Sequence, residues 1–200
     1  MVVRRDVEER IRGLVRRMHA HVDAAFQEVI ALLEGSRKVD EEEFDRRLIA
    51  VEEVRRAVTI EALLLIARWQ PLGEDLARAE SYIRVSYDLF RISRYLREVL
   101  RLEKAAGPLK SLGIDITPLK LARDMVRKAV DSMLAGDEKL AEEVEKVDSK
   151  VDEYYLKTLE RLSRDPVPRR EAVEALLARH VERIADHATY IARLARPGRI

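Results

Sequence analysis

Two pairs of carboxylates, each pair spaced four residues apart, are the residues of this chain best suited to chemistry. Asp148 and Asp152 form one pair, Glu182 and Asp186 the other, and His187 directly follows the second. Residues at i and i+4 of a helix lie one turn apart on the same side, where like charges repel and cost a helix a few tenths of a kcal/mol. A bound cation would turn that repulsion into attraction. The chain has no Cys, so its donors are oxygen and imidazole, and a cluster of carboxylates favours a hard cation such as Mg²⁺, Mn²⁺ or iron. The competing arrangement is a solvated face on which Lys150, Arg179 and Arg183 neutralise the acids. The other histidines are weaker candidates: His180 lies on an apolar stripe, and His19 and His21 cannot share one helix face.

Hydrophobic periodicity places these residues on helices. Val173, Leu177, His180, Ile184, Ile191 and Leu194 recur at helical steps and predict a helix over about 169–196, with Glu182 and Asp186 roughly opposite the apolar side. Val144, Val147 and Val151 give a second helix over about 137–164, with Asp148 and Asp152 on its flank. Thr117-Pro118 reads as a capping hydroxyl with Pro in the first turn, starting a helix that stops at Gly136. Upstream, a stripe from Val7 to Leu33 predicts a helix over about 4–34, stopping at Gly35. Asp40 with Glu43 resembles a capping box for a helix ending at Gln70-Pro71. A third helix restarts at Glu74 and runs to about Lys104, with Leu76, Ile83, Tyr87, Phe90 and Leu100 expected inside. The fold class is therefore all-α, with six long helices. Each block of three has a Pro between its second and third members, which suggests a duplication.

Glu182-Arg183-Ile184-Ala185-Asp186-His187-Ala188 resembles the signature helix of the PhoU family, the cytoplasmic regulators of phosphate uptake, with Ala185 in place of a glycine. Trp69-Gln70-Pro71 followed by Asp75-Leu76 is similar to that family's link between its second and third helices, although Ala77 stands where the family has Arg. The resemblance implies two repeated antiparallel three-helix bundles, residues 1–107 and 108–200. It also implies that Asp148, Asp152, Glu182 and Asp186 occupy the positions of a carboxylate metal site, with His187 supporting it from behind. In the first repeat the corresponding positions hold Leu48, Glu52, Phe90 and Arg94, so a single site, in the second repeat, is expected. As partners the resemblance implies the phosphate ABC transporter, through its ATPase and membrane subunits, and the associated sensor kinase.

Composition bounds the alternatives. Apolar residues make up 47% and charged residues 38%, with a net charge of +1, which suits long soluble helices and gives no nucleic-acid footprint. Residues 1–9 lack the apolar core of a signal peptide and no run approaches the ~18 apolar residues of a membrane span, so a cytoplasmic protein reaching a membrane only through a protein partner is expected. Absence of Asn and scarcity of Gln are compatible with a thermophilic source. No Gly-rich phosphate loop, H-E-x-x-H or nucleophilic triad stands out, so no enzymatic activity is expected. Two other readings remain open: a metal-free helical scaffold that binds another protein, and a ferritin-like di-metal protein, which needs inward Glu and Glu-x-x-His ligands not found here. Long exposed helices also leave homodimerisation open.

Overall fold

The structure, a computed structural model, describes residues 2–196, with side chains from Arg5 onward; Met1 and residues 197–200 lie outside it. Among the described residues there are six long α-helices and no strand: α1 (Val2–Leu33), α2 (Glu41–Trp69), α3 (Glu74–Ala106), α4 (Thr117–Ala135), α5 (Glu138–Arg161) and α6 (Arg169–Arg193). A 3₁₀ turn, Leu109–Leu112, bridges α3 to α4.

Local chemistry sets the helix ends. Asp40 accepts from the backbone N–H groups of Glu42 (2.9 Å) and Glu43 (3.2 Å), and Asp137 accepts from those of Lys139 (3.0 Å) and Leu140 (3.1 Å), so each satisfies donors that the first turn leaves open. Gly136, at φ 69°, ends α4 in the left-handed conformation that a side chain would disfavour. The start of α4 differs from the expectation. Thr117 is already helical, Ile116 stands at the N-cap without a side-chain cap, and Asp115 just before it accepts from the Thr117 N–H at 2.9 Å.

The helices divide into two groups of three. α1, α2 and α3 pack on one another, as do α4, α5 and α6, and the groups meet where α3 lies along α6 and α1 touches α4. α2 and α5 are consequently the outer helices. One contiguous apolar core, from Val7 on α1 to Ala195, runs through both groups. α6 is packed against α3, α4 and α5, and it carries small residues, Ala178, Ala185, Ala188 and Ala192, that are fully buried.

α3 corrects the sequence reading. Its buried residues include Tyr82, Val85, Leu89, Ile92 and Leu96, whereas Leu76 (39% exposed) and Tyr87 (50% exposed) face outward and Ile83 and Phe90 are half-buried. Moving from 83 to 82, or from 90 to 89, turns the buried face by one residue, about 100°. The cause is that α3 is covered from both sides, by α1 and α2 and by α6, so Ser81, Ser86, Asp88 and Ser93 are buried with the aliphatics.

Candidate functional site

α5 and α6 run side by side and bring the two acidic pairs into one electrostatic patch. Asp148 is pushed above the usual carboxylate range by burial and then by Asp152, and Asp152 by burial and then by Asp186. Glu182 is pushed up by burial and then by Asp186, even though Arg179 donates to it at 2.7 Å. In all three, burial is the leading cause and a neighbouring acid the next. Asp186 has its own counter-ion, accepting from Arg183 at 2.7 Å. Asp148 Oδ1 and the Thr189 hydroxyl are both buried without a hydrogen bond of standard geometry. Thr189 is the side-chain donor that favours the Asp148 carboxylate, and it only partly offsets the cost of burial.

The donor chemistry thus fits a hard cation, whereas the side-chain positions are open. Among the described residues no three His, Asp or Glu side chains stand close enough together to hold a metal. Lys150 is exposed, and the neutralising contacts come from Arg179 and Arg183.

His187 does not turn to this patch. Its Nδ1 lies 2.8 Å from Oδ1 of Asp88 on α3, and both residues are buried. A carboxylate can only accept, so Nδ1 carries the proton in this pair. The His187 ring sits 5.8 Å from the Tyr95 ring and 5.8 Å, edge-on, from that of Tyr190, while its Nε2 is buried without a partner. The pair joins the two helical groups one residue away from Asp186. Sequence reasoning missed Asp88 because an acid in an amphipathic helix reads as solvent-facing; the serines at 81, 86 and 93 were the available sign that this side of α3 is covered. His180 is half-buried, with its ring 6.3 Å from that of Tyr95.

A second buried acid fixes α5 against α6. Glu174, 4% exposed, accepts two hydrogen bonds from Arg161, both at 3.1 Å, and one from the Tyr154 hydroxyl at 3.3 Å. It is the one buried glutamate among the described residues and is fully engaged by these donors, so it offers nothing to a ferritin-like di-metal centre.

The matching positions of the first group are chemically different. Leu48 is buried, and Arg55 stacks over the Phe90 ring at 5.5 Å. Glu52 accepts from Arg55 at 2.6 and 2.8 Å and from Arg56 at 3.0 Å, which takes its pKa down to about 2. Phe90 and the exposed Arg94 line an open groove of about 560 Å³ between α2 and α3. Glu52, the one acid at these four positions, is saturated by arginine, the reverse of the raised carboxyls at Asp148, Asp152 and Glu182.

Fold and site together define an all-helical protein of two three-helix groups with a carboxylate patch on the second. The family model for the PhoU domain matches residues 119–195, which span most of α4 to α6. The phosphate-specific transport system accessory protein PhoU homolog 1 of Methanothermobacter thermautotrophicus is 30% identical over 155 residues, covering 72% of this chain and 69% of that relative. The homolog from Archaeoglobus fulgidus is 25% identical over 188 residues, covering 92% and 89% of the two chains. The crystal structure of PhoU from Pseudomonas aeruginosa superposes with a TM-score of 0.80 over 96% of both chains at 23% identity. The chain belongs to the PhoU family.

Proposed function

We propose that this protein restrains phosphate uptake by contact with the phosphate ABC transporter, engaging its ATPase and membrane subunits and the associated sensor kinase, without catalysing a reaction itself. What carries the reading is the pair of relatives named as accessory proteins of phosphate-specific transport, together with the signature acids Glu182 and Asp186 in place on α6. The duplication into residues 1–107 and 108–200 is part of it. Among the described residues no helix is long and apolar enough to cross a membrane. Working from the cytoplasm, the protein would reach the transporter through protein contacts.

Asp148, Asp152, Glu182 and Asp186 would hold one hard cation, iron, Mn²⁺ or Mg²⁺, in the second repeat. When bound, the cation supplies positive charge that neutralises carboxyls on two different helices. Asp148 and Asp152 tie it to α5, and Glu182 and Asp186 to α6. The burial of Asp148 Oδ1 and the raised carboxyl pKa values support this assignment. The ion pairs of Arg179 and Arg183 favour a second reading, a metal-free scaffold with the same docking role.

The docking role is tested by affinity purification of the tagged chain from native membranes. The transporter ATPase and membrane subunits should co-purify under phosphate-rich growth. Failure to recover them under either phosphate-rich or phosphate-poor growth would contradict the adaptor reading.

A further inference from the structure

Arg91 is the one half-buried arginine among the described residues that meets no carboxylate. Every other one is paired with an acid, as Arg47 is with Glu28 at 2.6 Å, Arg123 with Asp23 at 2.7 Å and Arg161 with Glu174 at 3.1 Å. The partners of Arg91 are phenols: its Nη2 donates to the Tyr95 hydroxyl at 2.8 Å, and Tyr87 stands one turn before it. Its Nε is buried without a hydrogen bond. A guanidinium cannot shed its charge, so a cation taken partly out of water with only neutral partners is costly until an anion joins it.

A second guanidinium faces the same oxygen. Arg183, on α6, brings its Nε within 3.5 Å of the Tyr95 hydroxyl while its Nη1 holds Asp186 at 2.7 Å. Arginines from both helical groups thus converge on one phenol at the seam between α3 and α6. That phenol responds to their field. Burial pushes its pKa up, and hydrogen bonds from Arg183 and Arg91 outweigh the burial, so it is held below the usual tyrosine value. Negative charge placed between these arginines is therefore stabilised. Because the Tyr95 oxygen accepts from the arginines, its own O–H is left to donate elsewhere. Arg91 also lies over the Tyr95 ring at 5.3 Å, which orients the guanidinium without consuming its charge.

Two guanidinium forks and a hydroxyl, arriving from two helices, suit an acceptor with oxygens in several directions, a tetrahedral oxyanion, better than a flat carboxylate. Asp186 selects among oxyanions. It repels one that is bare and can accept from one that carries a hydrogen, as hydrogen phosphate does and sulfate does not. We propose that Arg91, Arg183 and Tyr95 form a binding site for inorganic phosphate at the seam between the two helical groups. The site stands on this geometry and goes beyond the docking role, which does not require it.

Isothermal titration of inorganic phosphate into the metal-free full chain tests this, since no cation is then present to hold the anion instead. Wild type should bind one phosphate per chain saturably, and sulfate should bind at least about tenfold more weakly. Arg91→Gln should weaken phosphate binding at least about tenfold through loss of a charged donor. Tyr95→Phe keeps the ring beneath Arg91 and removes only the O–H, so it should weaken binding about threefold or more. Arg94→Gln, exposed on the same helix, should leave the affinity within about twofold of wild type, and circular dichroism should show every variant as helical as wild type. No saturable binding by wild type, equal binding of sulfate, or a loss for Arg94→Gln as large as that for Arg91→Gln would overturn the inference.

Discussion

His187→Ala should lower the free energy of unfolding by about 3 kcal/mol, or roughly 6–12 °C in melting temperature for a chain of this size. The substitution removes the partner of Asp88 and leaves a carboxylate buried at the seam between the two helical groups, besides opening a cavity beneath Tyr95 and Tyr190. Asp88→Asn should cost less, about 1 kcal/mol, because the amide oxygen still accepts from Nδ1 and no buried charge is left over. Denaturant titration of metal-free protein measures both, and a loss of under about 1 kcal/mol for His187→Ala would show that the pair is not what locks α3 to α6. The protein would then need another explanation for burying an acid and a histidine together.

The second large effect concerns the cation. Asp152→Asn combined with Asp186→Asn should abolish metal retention, and Glu52→Gln in the first group should leave it unchanged. The contrast rests on opposite electrostatics. Glu52 is already saturated by Arg55 and Arg56, whereas Asp148, Asp152 and Glu182 are held above their ordinary range by burial and by neighbouring acids. Elemental analysis after dialysis against Mn²⁺ or iron reads the occupancy. A hundredfold excess of cation over its Kd should also stabilise wild type by about 2.7 kcal/mol and leave the double variant unmoved. Equal metal content in wild type and double variant would remove the assignment of these four residues.

The four-residue spacing within each acidic pair is read directly from the sequence, but helical phase set Glu182 and Asp186 roughly opposite the apolar side of α6, whereas both are half-buried because α6 is covered by α3, α4 and α5. The Asp40 cap was legible too, since capping is local chemistry. α3 was not. A single-stripe reading presumes burial from one side, and α3 is buried from two, so its inner face carries Ser81, Asp88 and Ser93, which composition assigns to solvent. The same error hid the function of His187. Its position after Asp186 suggested support for the acids, and only the packing of α3 against α6 supplies Asp88 as the nearer partner. Pairing across such a seam depends on contacts far apart in the chain, which periodicity along one helix does not encode.

Uptake of radiolabelled phosphate by cells lacking this chain tests the central claim most directly. Under phosphate-rich growth, uptake through the transporter should rise above that of the parent and return to the parental rate when the wild-type chain is restored. Uptake that is unchanged by removing the chain, at high and at low phosphate alike, would contradict the account.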